Sequence, residues 1–345
     1  MSNDHSGSGH YIEVDDDITG TSEYDSLYGA ESYDTQSLHR KLGKWFEIRL
    51  SWTLLTNKIV TVQCFGDYIV DRFRQRKDSG SFPMTSHHVF LLRLRGKLFL
   101  APIENPQKIL DVGTGTGIWA IQIAEEFPDA EIVGNDISPI QPSWVPPKVS
   151  FEVDDFNDPW LQAPNSYDFI HERDCHAAVK DWGKFAENVF KTLKPGGYWE
   201  SQEHTVEITT DDGSVPEDNV LKQWCTNLIQ ATEIIGQTCV VAPHIVGHMQ
   251  KAGFVNIKQQ YFKLPIGAWP KDPVDKEIGA FNLINMVNAA EGFTTAAYTR
   301  ILGKPIEEAA QAVVDIKRDL QNKDFHMYFQ FAVTYGQKPL DSPTE

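Results

Sequence analysis

The sequence predicts an α/β fold in which helices cover both faces of a mostly parallel sheet. From residue 108 to residue 202, short apolar segments alternate with helical patterns over short connections. This alternation is typical of parallel strands joined by right-handed crossovers. Near the C-terminus, residues 325–333 form a strong β pattern, which predicts a hairpin-like pair closing one edge of the sheet.

Five strands account for the first part of this pattern. Each is a short run rich in apolar residues that ends at polar or turn-forming residues. The predicted strands are Lys108–Val112, Glu131–Asn135, Val149–Val153, Tyr167–His171 and Tyr198–Gln202.

Helical patterns lie before and between these strands. Ile118–Phe127 is terminated by Pro128, and Trp182–Leu193 stops at the Pro-Gly-Gly run 195–197. An amphipathic helix before the first strand places basic side chains outside. Its predicted apolar face consists of Val89, Phe90, Leu92, Leu98 and Phe99.

A largely helical insert follows the fifth strand. Helices are predicted at Asn219–Ile235, His244–Ala252 and Pro305–Leu320, with a strand at Ile257–Lys263 before the last of them. The insert between residues 215 and 324 carries large apolar side chains and predicts a helical cap. They include Trp224, Phe281, Met286 and Phe293.

The most informative motif is Asp111-Val-Gly-Thr-Gly-Thr-Gly117, between the first strand and the first crossover helix. Its glycines allow a sharp turn and a close approach of a ligand to the backbone, beside a helix N-terminus. The carboxylate of Asp111 would repel a pyrophosphate. It suits a ligand that carries an ammonium and a sulfonium, as S-adenosylmethionine does.

A dinucleotide site is the competing interpretation of this turn. Counted from Gly115, the run Gly115-x-Gly117-x-x-Ala120 fits the G-x-G-x-x-G/A pattern. Asp136, about twenty residues further on, could accept hydrogen bonds from the ribose of either cofactor. An oxidoreductase therefore stays as an alternative, although Asp111 and the downstream motifs favour the methyl donor.

These motifs resemble the class I S-adenosylmethionine-dependent methyltransferases, and more narrowly the fungal LaeA-type methyltransferases linked to secondary metabolism. The resemblance runs from about residue 87 to residue 339 and implies a Rossmann-like sheet of seven strands with an antiparallel strand at one edge. The segments that carry it are His87-His88, Asp111–Ala120, Asp136–Pro147, Asp154-Asp155, Asp168–His171 and Leu193–Gly197. The lead-in from Lys41 to Phe82 departs from the family pattern.

The resemblance implies a cofactor site at the carboxyl edge of the sheet, where open α/β sheets bind ligands. The turn, with Asp111, should face the methionine portion, and Asp136 should bind the ribose hydroxyls. Asp154 or Asp155 should meet the adenine amino group, and His171 should lie beneath the donor. The predicted cofactor-binding residues are Asp111, Gly113, Thr114, Gly115, Gly117, Asp136, Ile137, Asp154, Asp155 and His171.

A catalytic base is needed only if the methyl acceptor must lose a proton. Candidates follow the fourth and fifth strands: His171, Glu172, His176, Glu203 and His204. We favour His204 and His176, because imidazole titrates near neutrality. Trp119 and Trp144 are expected to be packing residues, although either could line the pocket. No Asp/Asn arrangement typical of metal-dependent catechol methylation is found, and no metal is predicted.

Composition limits the partners. The formal charge is −17, which argues against direct nucleic-acid binding. The expected partner is a small-molecule acceptor, aromatic or polyketide-like. The alternative is a LaeA-type nuclear regulator acting in a protein complex. The four cysteines show no paired spacing, and no signal peptide or membrane span is found, so a cytoplasmic or nuclear protein is expected.

Three regions are predicted along the 345 residues. Residues 1–39 contain no Lys or Arg and are expected to form an acidic, disordered leader that could dock a protein partner. Residues 40–83 receive no firm assignment. Residues 84–345 are expected to form the methyltransferase domain, with a cofactor half at 105–204 and the substrate cap and C-terminal strands at 205–339.

Overall fold

The computed structural model describes residues 11–15, Tyr28 and residues 82–341. Its centre is a seven-stranded sheet in the order β3-β2-β1-β4-β5-β7-β6. The first five strands run parallel, and β7 runs antiparallel to both β5 and β6. The strands are β1 Lys108–Val112, β2 Glu131–Asp136, β3 Val149–Val153, β4 Tyr167–Arg173, β5 Leu193–His204, β6 Val255–Ile266 and β7 Met327–Gln337.

Helices cover both faces of the sheet and build the insert. They are α1 Phe82–Arg93, α2 Ile118–Glu126, α3 Trp182–Thr192, α4 Val220–Ile234, α5 Ile245–Ala252, α6 Pro273–Ala296 and α7 Ile306–Leu320, with a π-helical turn Ala297–Ile301 after α6. The predicted α/β architecture, the antiparallel strand near one edge and the helical insert are confirmed. None of the described helices has the length and apolar character that a bilayer crossing requires.

Local sequence explains where the helices begin. The side chain of Asp181 accepts a hydrogen bond from Lys184 N at the start of α3. Asp272 caps α6 in the same way, and Pro273 follows it at the first helical position. Both arrangements satisfy backbone donors that the first turn of a helix leaves unpaired.

Two expectations for the helices were wrong in detail. Helix α1 ends at Arg93, because the chain turns at Gly96 with φ +82°. Leu98 and Phe99 therefore lie beyond the helix rather than on its apolar face. Helix α6 was not predicted, although it is 24 residues long. It is buried over most of its circumference, so it lacks the one-sided apolar pattern of a surface helix.

Three apolar cores hold the elements together. One lies between the sheet and α2, around Trp119 and Phe169. A second lies on the opposite face, under α3 and α5, around Trp199. The third fills the insert, where α1, α4, α6 and α7 meet β6 and β7 around Trp224 and Phe331. The insert thus packs as one body against the antiparallel end of the sheet.

A short part of the predicted leader contacts the domain. Val14 forms an antiparallel bridge with Pro270, and the side chain of Ile12 is buried. Glu13 pairs with Lys271, and Asp15 pairs with Lys276 at the start of α6. This part of the leader therefore packs against the domain. Most of the leader, and residues 40–81 of the lead-in, lie outside the described residues.

Candidate functional site

The glycine turn connects β1 to α2 as the sequence predicts. Gly113, Gly115 and Gly117 have φ of +67°, +57° and +77°, values that side chains with a Cβ rarely adopt. A Cβ on Gly117 would lie 2.2 Å from the Phe151 ring, so only glycine fits there. A Cβ on Gly115 would meet nothing within 4 Å. The turn is therefore tight on its inner side and open where a ligand would lie.

Asp136 fixes the turn from the end of β2. Its two carboxylate oxygens accept hydrogen bonds from Gly115 N and Ser138 N, each at 2.8 Å. The side chain is buried, and burial raises the pKa of this carboxyl to about 6, against the lowering effect of both hydrogen bonds. Each oxygen retains acceptor capacity, so Asp136 can also accept from ligand hydroxyls.

Asp111 is held from two sides. Its carboxylate accepts from the Thr114 hydroxyl at 2.6 Å and lies 2.7 Å from His171 Nδ1. The His171 ring stacks on Trp119 at 3.8 Å between centroids and is 1% exposed. Burial lowers the pKa of His171, although Asp111 opposes the shift. His171 and Trp119 thus form a rigid support behind Asp111.

The remaining predicted cofactor residues surround the same edge. Ile137 is partly buried beside Asp136. Asp155 accepts hydrogen bonds from the backbone and side-chain nitrogens of Asn157, both at 2.9 Å. These bonds stabilise the turn that follows β3. Asp154, also partly buried, follows β3 directly. Trp144 is 62% exposed.

One contact in this region was missed. Gln141 donates its side-chain amide to Gly115 O at 2.7 Å and to Ser138 O at 3.0 Å, which ties the loop after β2 to the turn. The segment 136–147 had been singled out as typical of the family, but no pattern in it indicated which side chain would reach back.

A cavity lies beyond the turn, between the sheet and the insert. Its walls are mostly apolar and come from α1, α4, α6 and β6. The loop after β4 forms its polar end and also reaches the turn, since Cys175 Sγ lies 3.7 Å from Val112 O. The apolar lining includes Phe90, Trp224, Leu228, Leu264, Met286 and Phe293. Of the predicted cap residues, Trp224, Met286 and Phe293 therefore line the cavity, and Phe281 packs elsewhere in the core.

Two histidine–carboxylate pairs occupy the polar end. His204 Nδ1 lies 2.7 Å from Asp174 Oδ1, and His176 Nδ1 lies 2.7 Å from Glu203 Oε2. The two imidazole rings are perpendicular at 4.6 Å. His176 and His204, the preferred base candidates, therefore lie together in the cavity, because β4 and β5 are paired in parallel and end at the same edge.

The two carboxyl groups have opposite shifts. Burial opposes ionisation of Asp174, but His204, His176 and Arg173 together bring the pKa of its carboxyl below the usual value. Burial raises the pKa of Glu203 to about 8 and lowers that of His176. Environments that push neighbouring pKa values apart are typical of acid–base sites.

A metal ion has two sets of possible ligands among the described residues. The sets are Asp174, His176 and His204, and Glu172, Cys175 and Glu203, each with its donor atoms within 4.8 Å of one another. In both sets, hydrogen bonds already engage donor atoms: Asp174 with His204, and Glu203 with His176. Both sets therefore contain a carboxylate that is paired with a histidine in the described structure.

Polar side chains on the other face of the sheet were also missed by the sequence analysis. Arg173 donates to His87 Nδ1 at 2.9 Å, and His87 Nε2 contacts Gln122 at 3.0 Å. Glu200 accepts from Leu100 N and Ala101 N. These contacts fasten α1 and the segment after it to the sheet beside the turn.

Comparison with known proteins identifies the family. A family model described as a methyltransferase domain matches residues 86–259. Methyltransferase pytC of Aspergillus terreus is 42% identical over 255 residues, which cover 73% of this chain and 78% of that protein. This chain is a member of the methyltransferase family.

More distant matches agree with this assignment. A probable methyltransferase, tdiE of Emericella nidulans, is 35% identical over 73% of this chain and 80% of that protein. The secondary metabolism regulator laeA of Monascus pilosus is 33% identical over 74% of this chain and 70% of that protein. A solved phosphoethanolamine N-methyltransferase 2 of Haemonchus contortus, in complex with S-adenosyl-L-methionine, has a TM-score of 0.44 and 21% identity, covering 79% of this chain and 60% of that chain, a likeness too low to carry an argument.

The methyltransferase assignment confirms the predicted enzyme class and S-adenosylmethionine as its cofactor. The resemblance to the LaeA-like proteins is confirmed as well. The oxidoreductase alternative is set aside, since the methyltransferase match covers the glycine turn. The roles of individual side chains toward the donor and acceptor are proposals, developed below.

Proposed function

We propose that this methyltransferase transfers a methyl group from S-adenosylmethionine to an apolar small molecule, an aromatic or polyketide-like secondary metabolite. The observation that carries the proposal is the cavity between the sheet and the insert, which is apolar along its walls and bears two histidine–carboxylate pairs at one end. A largely apolar cavity with a few convergent polar groups is typical of small-molecule sites.

The residues at the carboxyl edge of the sheet fit the donor. The open space beside Gly115 admits a ligand against the backbone. Asp136 has acceptor capacity for the two ribose hydroxyls, and Asp154 follows the next strand where an adenine amino group would be expected. Asp111, fixed by Thr114 and His171, supplies negative charge near the methionine portion. S-adenosylmethionine supplies a methyl group already activated by its sulfonium.

The loop after β4 supports a placement of the acceptor next to the donor, because it contacts both the glycine turn and the cavity. Its Cys175 contacts the start of the glycine turn, while Asp174 and His176 line the cavity. Methyl transfer as an in-line displacement would require an acceptor in the cavity to face the methyl group of a donor held at the turn. Positioning of this kind supplies about 7–11 kcal/mol of a bimolecular barrier.

The histidines would handle the acceptor's proton. For a hydroxyl or amine acceptor, His204 or His176 can accept the proton on Nε2, because Nδ1 of each ring is engaged by a carboxylate. General-base catalysis of this kind contributes roughly 100- to 10,000-fold. Asn282 and Asn285 also line the cavity, but their amide nitrogens already donate to Pro265 O and to Ser86 Oγ.

The test uses the purified full chain, labelled S-adenosylmethionine and a panel of phenolic and polyketide-like acceptors. We expect S-adenosylhomocysteine to form only with acceptor present. The His176→Gln/His204→Gln double variant should lose roughly 100- to 10,000-fold in kcat and keep its affinity for S-adenosylhomocysteine. His326→Gln is the matched control, since His326 pairs with Asp212 at 2.5 Å outside the cavity. A double variant as fast as wild type would contradict the proposal.

A second candidate function is a LaeA-type regulator acting in a nuclear protein complex. The 33% identity to the laeA regulator and the acidic leader favour it. A strain carrying Asp136→Asn separates the two functions. A tailoring enzyme would leave one metabolite lacking a single methyl group with transcripts unchanged, whereas a regulator would change transcripts of whole biosynthetic clusters. The first outcome also fits a cytoplasmic protein, the second a nuclear one.

A further inference from the structure

Glu172 is the most unusual buried side chain in the part of the chain that the structure describes. It is 0% exposed, on β4, and no hydrogen bond of ordinary geometry reaches its carboxyl oxygens from the described residues; the Ser201 hydroxyl and the Glu203 carboxyl are the side-chain groups beside them. An ionised carboxylate without donors in this environment would be strongly destabilising. A protonated carboxylic acid would not, because it is neutral and can itself donate a hydrogen bond.

The neighbour that can accept this hydrogen bond is Glu203. Side chains of Glu172 and Glu203 lie on the same face of the adjacent strands β4 and β5, with one oxygen of each within 4.8 Å of the other and of Cys175 Sγ. Of the two carboxyl groups, that of Glu203 has more hydrogen-bond donors to stabilise its ionised form. It accepts from Cys175 N at 2.7 Å, and from His176 N and His176 Nδ1 at 3.3 and 2.7 Å.

A continuous path therefore runs from the cavity into the protein. His176 lines the cavity, and its Nδ1 contacts Glu203, which adjoins Glu172. We propose that Glu203 is the terminal proton acceptor within the protein, and that it receives the acceptor's proton through His176. Glu172 is then a positioning residue that stays protonated and donates a hydrogen bond to Glu203. This inference rests on the proposed methyl transfer to a hydroxyl or amine acceptor.

The atoms balance in one turnover. The acceptor's oxygen or nitrogen forms a bond to the methyl carbon as the sulfonium–methyl bond breaks, and that bond's electron pair stays on sulfur. The acceptor's proton moves to His176 Nε2, and the proton on His176 Nδ1 moves to Glu203. The products are the methylated acceptor, S-adenosylhomocysteine and a neutral Glu203. After the products leave, Glu203 returns its proton to His176 Nδ1 and His176 Nε2 releases its proton to water in the cavity, which restores the starting state.

The environment supports this direction of proton movement. In water a glutamate is a weaker base than histidine. Here burial reverses the order, because it lowers the pKa of His176 and raises that of Glu203 to about 8. Burial and the charge of Glu203 also raise the pKa of Glu172 well above its ordinary value. The groups facing the pair are Asp174, Cys175 and His176 on the loop after β4, and His204 on β5.

The kinetic test compares pH profiles of kcat for a phenol acceptor. Wild type should show a rate that rises with pH and levels off above about 8, where Glu203 is ionised. Glu203→Gln should lose this dependence and slow at least tenfold. It should recover with a dinitro-substituted phenol, which is already ionised at pH 7 and has no proton to lose. An unchanged profile in Glu203→Gln would overturn the inference.

The role of Glu172 is tested by two substitutions of similar size. Glu172→Met removes the donor, so the profile should move up by about one to two pH units, the worth of a hydrogen bond to a charged group. Glu172→Gln restores an N–H donor and should return the profile toward wild type. Glu200→Gln, a buried glutamate on the other face of β5, should leave it in place. Equal profiles for the Met and Gln variants would show that Glu172 is only structural.

An infrared measurement separates this inference from the proposed function. At about pH 9.5, where Glu203 with its pKa of about 8 is almost fully ionised, wild type should show the C=O stretch of a buried carboxylic acid, and Glu172→Gln should abolish it. The Glu200→Gln variant should keep it, since burial raises the pKa of Glu200 only to about 7. A missing band in wild type would overturn the inference whether or not turnover occurs. Absence of turnover with the band present would instead count against the proposed function.

Discussion

The contribution of Asp136 can be tested by Asp136→Asn, which preserves shape and removes charge. The carboxylate accepts from Gly115 N and Ser138 N, and is expected to accept from the ribose hydroxyls of the donor. A hydrogen bond to a charged group is worth about 1.5–3 kcal/mol. Loss of one such bond to the ligand should therefore weaken binding roughly 10- to 150-fold. The Asn side chain has only one oxygen, so its NH₂ group must face either Gly115 N–H or Ser138 N–H. That backbone N–H then lacks an acceptor.

Calorimetric titration with S-adenosylhomocysteine at pH 7.5 measures the affinity, and urea unfolding measures the stability of the same sample. The unpaired N–H costs about 1–3 kcal/mol of stability, and relief of a buried charge offsets part of that cost. Asp129→Asn is the matched control, since the Asp129 side chain is 98% exposed at the end of α2. An Asp136→Asn protein that folds normally and binds within twofold of wild type would refute the assignment of Asp136 to the ribose.

Three further outcomes are expected. Gly117→Ala should abolish S-adenosylhomocysteine binding and lower the free energy of unfolding by about 1–3 kcal/mol, because its Cβ would strike Phe151. The control Gly236→Ala has a similar φ but open space around the Cβ, and it should keep binding. Equal affinities of the two variants for S-adenosylhomocysteine would contradict the tight turn. Affinity measured from pH 8 to 5 should fall as pH drops through about 6, where Asp136 becomes protonated; a flat profile would exclude its ionised form as the ligand group. Leu228→Trp should fill the cavity and raise KM for the acceptor at least tenfold with donor affinity unchanged, and an unaltered KM would place the acceptor elsewhere.

The strands of the cofactor half could be predicted because each is a short apolar run ended by a turn. Strand β1 and strand β3 have the predicted bounds, and β4 extends two residues further. Helix α6 could not be predicted in this way. Its buried residues surround the axis, and they include the amides Asn282 and Asn285, so no apolar stripe marks it. Helix α6 is stabilised by packing within the insert, and the spacing of apolar residues in its own sequence does not reveal it.

The residues proposed to bind the donor could be named from the sequence for a different reason. The glycine turn and Asp136 are defined by local backbone needs, which spacing along the chain reveals. The histidine–carboxylate pairs depend on tertiary structure: Asp174 and His204 are 30 residues apart, and His176 and Glu203 are 27 apart. Only the register of β4 against β5 decides which carboxylate meets which imidazole. The sequence could name the histidines individually but not their partners.

The central claim is that the glycine turn holds a methyl donor whose sulfur faces the cavity of the insert. A crystal structure of the chain with S-adenosylhomocysteine tests it most directly. We expect the ribose hydroxyls on Asp136 and the sulfur beside the loop 174–176, directed toward His176 and His204. A ligand whose sulfur points away from the cavity, or one bound away from the turn, would contradict the account.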